Sequence, residues 1–143
     1  MSKVISAGIL VQVHSDGYVL GHVTNCTHWD IFKGRQDEGE TLVQTAIREC
    51  QEESGLIFQE SDLKFLGKFD YTKKKDIAIY ITKLDGLDIS TLKCTSLLEN
   101  SDPELDYYAE FSFDTMLSSV GSAMNKVLSS LESEIKEHYA ATT

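Results

Sequence analysis

Three glutamates, Glu49, Glu52 and Glu53, stand at i, i+3 and i+4, so on a helix their carboxylates leave one face about a turn apart. Like charges at that spacing repel, and near a helix C-terminus the macrodipole opposes negative charge as well. A solvated acidic face, the ordinary use of such a run, would leave both penalties in place. A divalent cation removes them, because an all-oxygen carboxylate cluster suits a hard ion such as Mg²⁺, with Mn²⁺ as a substitute.

The carboxylates need a helix over residues 41–53, and its adjoining face supplies the means of docking it. Val43, Ala46, Ile47 and Cys50 fall at i, i+3, i+4 and i+7, an apolar stripe fit to lie on a sheet. Gly55 can take the left-handed conformation that ends a helix, and Leu56 returns the chain to the core. The sheet is expected from β-branched runs at residues 4–13, 18–23 and 29–32, the first two joined by a Ser15-Asp16-Gly17 turn. Residues 64–71 and 76–82 read as a second hairpin around Lys73-Lys74-Lys75, and residues 109–113 as a last strand. Leu117, Val120, Met124, Val127, Leu131 and Ile135 recur at helical spacing over 114–139, with a break expected at Gly121-Ser122. Residues 84–103, with several serines and the only proline, read as a loop. These elements make an α/β (α+β) chain, a single domain over residues 1–143.

The segment from Gly34 to Leu56, GRQDEGETLVQTAIRECQEESGL, resembles the Nudix signature, G-x5-E-x7-R-E-U-x-E-E-x-G-U, where U is a bulky aliphatic residue. Cys50 fills the first U position as a small buried hydrophobe. The approach Trp29-Asp30-Ile31-Phe32-Lys33-Gly34 is similar to the family's W-x-L-P-K-G, with Phe32 in place of proline, and Glu110 stands where a tryptophan is usual in the late strand. The resemblance implies the Nudix fold, a mixed β-sheet sandwiched between α-helices. It also implies a Mg²⁺-dependent hydrolase that cleaves a phosphoanhydride bond in a nucleoside diphosphate linked to another moiety.

Carried onto this chain, the resemblance makes Glu49, Glu52, Glu53 and the Gly34 carbonyl the metal ligands, with Arg48 and Glu40 as partners that orient them. Arg48 can bond a carboxylate bidentately, though an ordinary surface ion pair is the other use of such an arginine. Glu104 is the candidate general base, with Glu49 and Glu53 as alternatives and a solvated loop role as the competing reading. The catalytic set is thus Glu53, Glu49, Glu104 and Arg48. Trp29, Phe32, Tyr71, Tyr80, Tyr107 and Tyr108 form the pool from which a base-stacking ring would come, and His14, His22, His28 and His138 show no ligand or triad spacing. Within the family the similarity leans to diadenosine-polyphosphate hydrolases. ADP-ribose, dinucleotide and nucleoside-triphosphate pyrophosphatases and RNA 5′-end pyrophosphohydrolases are the neighbouring readings. A silent nucleotide-binding or partner-docking module is the reading from another class, and the loss of a box glutamate that would mark it is not seen.

Composition narrows the partners. With net charge −10, the chain has no general basic surface for extended nucleic acid or an anionic membrane, which leaves a small nucleotide as the expected substrate. The longest apolar runs, residues 7–11 and 77–81, are too short to span a bilayer. Cys26, Cys50 and Cys94 have no CxxC or zinc-finger spacing and read as free thiols, which suits a cytoplasmic protein. Oligomeric state is left open.

Overall fold

Strand β1 (Val4–His14) is apolar at consecutive positions, so it must be covered on both faces. Ala7, Ile9, Val11 and Val13 point one way and Leu10 the other, all buried. The computed structural model describes residues 3–141, and among them seven strands form one mixed sheet around β1. The others are β2 (Gly17–Val23), β3 (Trp29–Asp30), β4 (Phe32–Arg35), β5 (Lys64–Thr72), β6 (Lys75–Lys83) and β7 (Leu105–Phe111). One edge of β1 pairs in parallel with β6, in register from Val4 with Lys75 to Gln12 with Lys83. Its other partners are antiparallel: β4 lies against Ser6 to Ile9, and β2 takes over at Val11. β2 pairs in turn with β3 and β7. The change of partner from β4 to β2 opens a fork in the sheet.

Helix α1 (Leu42–Ser54) covers the face of Ile9, Val11 and Phe32 through Ala46 and Cys50. Its start is set by Thr41, whose hydroxyl accepts the Gln44 N–H while the Gln44 side chain accepts the Thr41 N–H. Its end is Gly55 at φ 81°. The opposite face, with Leu10, Ile77, Ile79 and Ile81, is closed by α2 (Phe113–Ser119), α3 (Ser122–Ser130) and α4 (Glu132–Ala141). The sheet lies between helices, the Nudix arrangement that the resemblance implies.

Several boundaries differ from those expected. The run at 29–32 is two strands, β3 and β4, which pair with different partners on either side of Ile31. Lys75 belongs to β6, so the tight turn is Lys73-Lys74 alone. β7 starts at Leu105, because β2 templates it from Tyr18 opposite Phe111 to Val23 opposite Leu105. Phe113 opens α2, since the Ser112 hydroxyl accepts the Thr115 N–H and starts a helix there. The late helical stretch breaks twice, at Val120-Gly121, one residue before the Gly121-Ser122 break expected, and also at Leu131, whose N–H is shared by the Leu128 and Ser129 carbonyls. That second break keeps both Leu131 and Ile135 in the core. The 84–103 loop holds one 3₁₀ turn, Ile89–Thr91, and a Leu97–Pro103 bridge.

Candidate active site

The last two turns of α1 carry Glu53 into the fork between β1, β4 and β2, while Glu49 and Glu52 bond Arg48. A cleft of about 340 Å³ lies there, lined by Asp30, Lys33, Gly34, Glu53 and Glu104 among others, but not by Glu49 or Glu52. Glu53 is 6% exposed, and its Oε1 accepts the Lys33 backbone N–H at 2.8 Å. Burial pushes its carboxyl up to about 9, against the opposing pull of the Lys33 N–H and ammonium; Glu49 and Asp30 add to the rise. Glu49 packs onto Gly34, where a Cβ would lie 2.0 Å from the Glu49 Cδ, so only glycine leaves room for this carboxylate. Its pKa is also raised, first by burial and then by the nearby Glu52, with Glu104 contributing and Arg48 opposing.

Arg48 organises the rest. Its Nε and Nη2 bind the two Glu40 oxygens at 2.7 and 3.0 Å, and its Nη1 reaches Glu49 at 2.9 Å and Glu52 at 3.0 Å. The guanidinium also donates to the Arg35 carbonyl and pairs with Asp37 at 3.3 Å. Glu40 accepts further bonds from the Thr45 hydroxyl and the Asp37 N–H, both at 2.9 Å. The Arg48 bond, with these others, holds the Glu40 carboxyl down at about 2. Among the described residues no three acidic, histidine or cysteine side chains are grouped as they would have to be to hold a metal ion. Glu49 and Glu52 turn to Arg48, and Glu53 turns to Lys33.

The remaining wall is built from distant chain. Glu104 sits at the end of a small hairpin; its N–H donates to the Ser96 carbonyl and its carbonyl accepts the Thr24 N–H, at 2.9 and 3.0 Å. Lys33 stands opposite Gly8 of β1, where a Cβ would lie 2.5 Å from that of Lys33. Its ammonium pairs with Asp30 at 3.2 Å and lies 5.6 Å from the centre of the Tyr71 ring. Burial works against that charge, but Asp30, Tyr71 and Glu53 together raise the Lys33 pKa above its ordinary value. Arg35, Lys75, Ser6, Thr24 and His28 complete the polar rim.

Sequence reasoning gave His28 no role, yet it lines the cleft, whereas His14 and His22 pair with Glu110 and Asp106 outside it. None of the six aromatic candidates is among the residues lining the cleft. Trp29 packs on His22 and Phe111, Phe32 on Tyr108, and Tyr80 on Phe65, while Tyr107 is 69% exposed. Asp30 was missed as part of the site, its one signal being its place three residues before Lys33. Tyr108 was among the stacking candidates, but its hydroxyl bonds the Glu53 carbonyl instead, for which the sequence held no signal.

The NUDIX domain family matches residues 3–124, so the chain belongs to the Nudix family of pyrophosphohydrolases. Its structure is similar to an Ap4A hydrolase of C. elegans in a binary complex, with 18% identity over 98% of this chain and 99% of that one and a TM-score of 0.68. It is also similar to a bifunctional NMN adenylyltransferase/ADP ribose pyrophosphatase of Francisella tularensis complexed with AMP and a Mn ion (13% identity, TM-score 0.72). That match covers 93% of this chain but 42% of the other. A third similarity is to the NUDIX domain of NrtR from Shewanella oneidensis complexed with ADP ribose, with 11% identity over 94% of this chain and 90% of that one and a TM-score of 0.70. No curated protein matches the chain in sequence.

Proposed function

We propose that this chain uses a divalent cation, Mg²⁺ with Mn²⁺ as a substitute, to hydrolyse a phosphoanhydride bond in a nucleoside diphosphate joined to a second moiety, with diadenosine polyphosphates the leading substrate class. The observation that carries this reading is the Glu49 carboxylate lying on side-chain-free Gly34, with the buried Glu53 and the tethered Glu104 opening into the same cleft. Such an all-oxygen donor set fits a hard cation, and the two carboxyls whose pKa burial raises are the ones a cation would relieve.

Glu49, Glu52, Glu53 and the Gly34 carbonyl would hold the ion, which when bound neutralises phosphate oxygens and makes water more acidic. Arg48 fixes the direction of Glu49 and Glu52 by taking one oxygen of Glu49 and both of Glu52, anchored itself on Glu40. Lys33 places a fixed positive charge at the cleft, where a phosphate oxygen gains charge as the bond breaks. Glu104 accepts the proton of the attacking water, with Glu49 or Glu53 as the alternative base. Water then attacks one phosphorus in line and the nucleotide or phosphate on the far side leaves.

One Nudix domain over residues 1–143, working in the cytoplasm on a small nucleotide, is the setting we infer. Free Cys26, Cys50 and Cys94 support it, as does the finding that among the described residues no helix is long and apolar enough to cross a membrane. The test is product release with Mg²⁺ or Mn²⁺ from a panel of diadenosine tetraphosphate, ADP-ribose, NADH, deoxynucleoside triphosphates and 5′-triphosphate RNA. Turnover of diadenosine tetraphosphate above the others supports the full reading; preference for ADP-ribose keeps the hydrolase and overturns the substrate class. No turnover of any member overturns both.

A further inference from the structure

The last four carbonyls of a helix have no partners within it, and at the end of α1 every one is taken. Gly55 N–H donates to Gln51, the N–H groups of Thr95 and Ser96 donate to Glu52, and Lys93 N–H donates to Ser54. The Glu52 carbonyl takes the Thr95 hydroxyl as well, and the Glu53 carbonyl is satisfied from the sheet by the Tyr108 hydroxyl on β7, at 2.5 Å. The donors of Glu52, Glu53 and Ser54 all belong to one stretch of chain, 93–108, which also carries Glu104. Within that stretch the Glu104 N–H closes on the Ser96 carbonyl, so the strap leaves α1 at residues 95 and 96, presents Glu104, and returns to α1 through Tyr108.

We propose that the Tyr108 hydroxyl is a positioning residue, closing a ring of bonds that holds Glu104 in register with the carboxylates of Glu49 and Glu53. The inference rests on the hydrolase reading and adds to it the device that fixes the spacing between the base and the ligands. Glu104 is held toward β2 by Thr24, which bonds the Pro103 and Glu104 carbonyls, and by the pairing of Leu105 with Val23; toward α1 it is held by residues 93–96 on one side and by the Tyr108 hydroxyl on the other. The ring of Tyr108 packs at 6.0 Å from Phe32, so its removal and the removal of its hydroxyl are separable changes. Glu53 is buried in a last turn that already carries two carboxylates, where an unsatisfied carbonyl would be costly and a donor offsets the negative end of the helix.

Tyr108→Phe deletes the bond and keeps the ring. In the full chain we expect kcat to fall about tenfold with KM within about twofold, because the bond acts on the spacing of reacting groups and not on substrate capture. Amide hydrogen exchange, followed without metal, should speed up in the last turn of α1 and in residues 93–104 together. Tyr108→Leu, which loses the ring as well, should lower the melting temperature further but show the same exchange pattern. Unchanged kcat and unchanged exchange in Tyr108→Phe overturn the inference while wild-type turnover leaves the hydrolase reading intact. Faster exchange confined to β7, with 93–104 unaffected, also overturns it. If the wild type turns over no substrate in the panel, the hydrolase reading fails and the positioning role fails with it.

Discussion

Glu53 holds a conflict that decides what its replacement does. A carboxyl buried in the last turn of a helix, with its pKa pushed up to about 9, is protonated at neutral pH when no cation is near. Gln keeps the shape and the acceptor for the Lys33 N–H, but not the charge. Glu53→Gln should therefore leave the melting temperature of the metal-free protein unchanged or higher, while activity drops about 100-fold or more and the stabilisation by added Mg²⁺ shrinks. A fall of several degrees without metal would instead make Glu53 a structural anion. Gly34→Ala tests the neighbouring contact. The three atoms nearest the added methyl group all belong to the Glu49 carboxylate, the far end of a flexible side chain, so the fold can yield by swinging that carboxylate away from Gly34 at the cost of its bond to Arg48. The expected result is at least about a tenfold loss of activity with a melting temperature within about 2 °C of wild type; a large loss of stability would show that the β4 backbone, not Glu49, is what glycine protects.

At the level of elements, α1 is held at its start by a local box and at its end by distant chain. Thr41→Ala removes the hydroxyl that accepts the Gln44 N–H and should cost about 1 kcal/mol, a fall in melting temperature of roughly 3–4 °C, with kcat retained because the carboxylates sit at the other end. An equal loss in kcat would mean that the box sets the site as well. α4 brings a pH dependence of its own. Burial, and then the charges of Lys64 and Lys83, hold the His138 pKa below its ordinary 6.5, so below that pH the unfolded chain binds the proton more readily. Its contribution to stability is complete above about pH 6.5 and is lost as pH falls toward the depressed folded value. Denaturant melts of wild type and His138→Gln between about pH 5 and 8 should show a shallower acid limb in the variant; parallel curves would rule His138 out. The elements that sequence reading placed well are those whose signals are local: the apolar stripe of α1, the Gly55 stop and the β-branched run of β1. Where pairing at a distance decides, it fell short. Asp106 and Tyr107 do not look like a strand, but β2 templates one there, and Phe113 looks like strand until Ser112 caps a helix. The break at Leu131 has no glycine or proline to announce it. The site follows the same division, since Glu49, Glu52 and Glu53 fall within one contiguous segment whereas the Tyr108 bond to Glu53 spans 55 residues.

The whole molecule sets one more condition on catalysis, because a chain of net charge −10 must capture an anion. Two opposing fields act on the substrate. Lys33, Arg35 and Lys75 line the cleft and attract phosphates at close range, while the overall surface repels them at long range. Salt distinguishes the two by distance, since at about 0.1 M the screening length is about 10 Å, longer than a contact but shorter than the protein. Added monovalent salt therefore removes the distant repulsion first and leaves the contacts within the cleft. With free Mg²⁺ held constant, kcat/KM for a nucleotide substrate should rise as monovalent salt is raised from about 10 mM to about 150 mM, and kcat should stay level. Steep decline over the same range would show instead that the cleft cations steer the approach, and that the acidic surface faces away from the path by which substrate arrives.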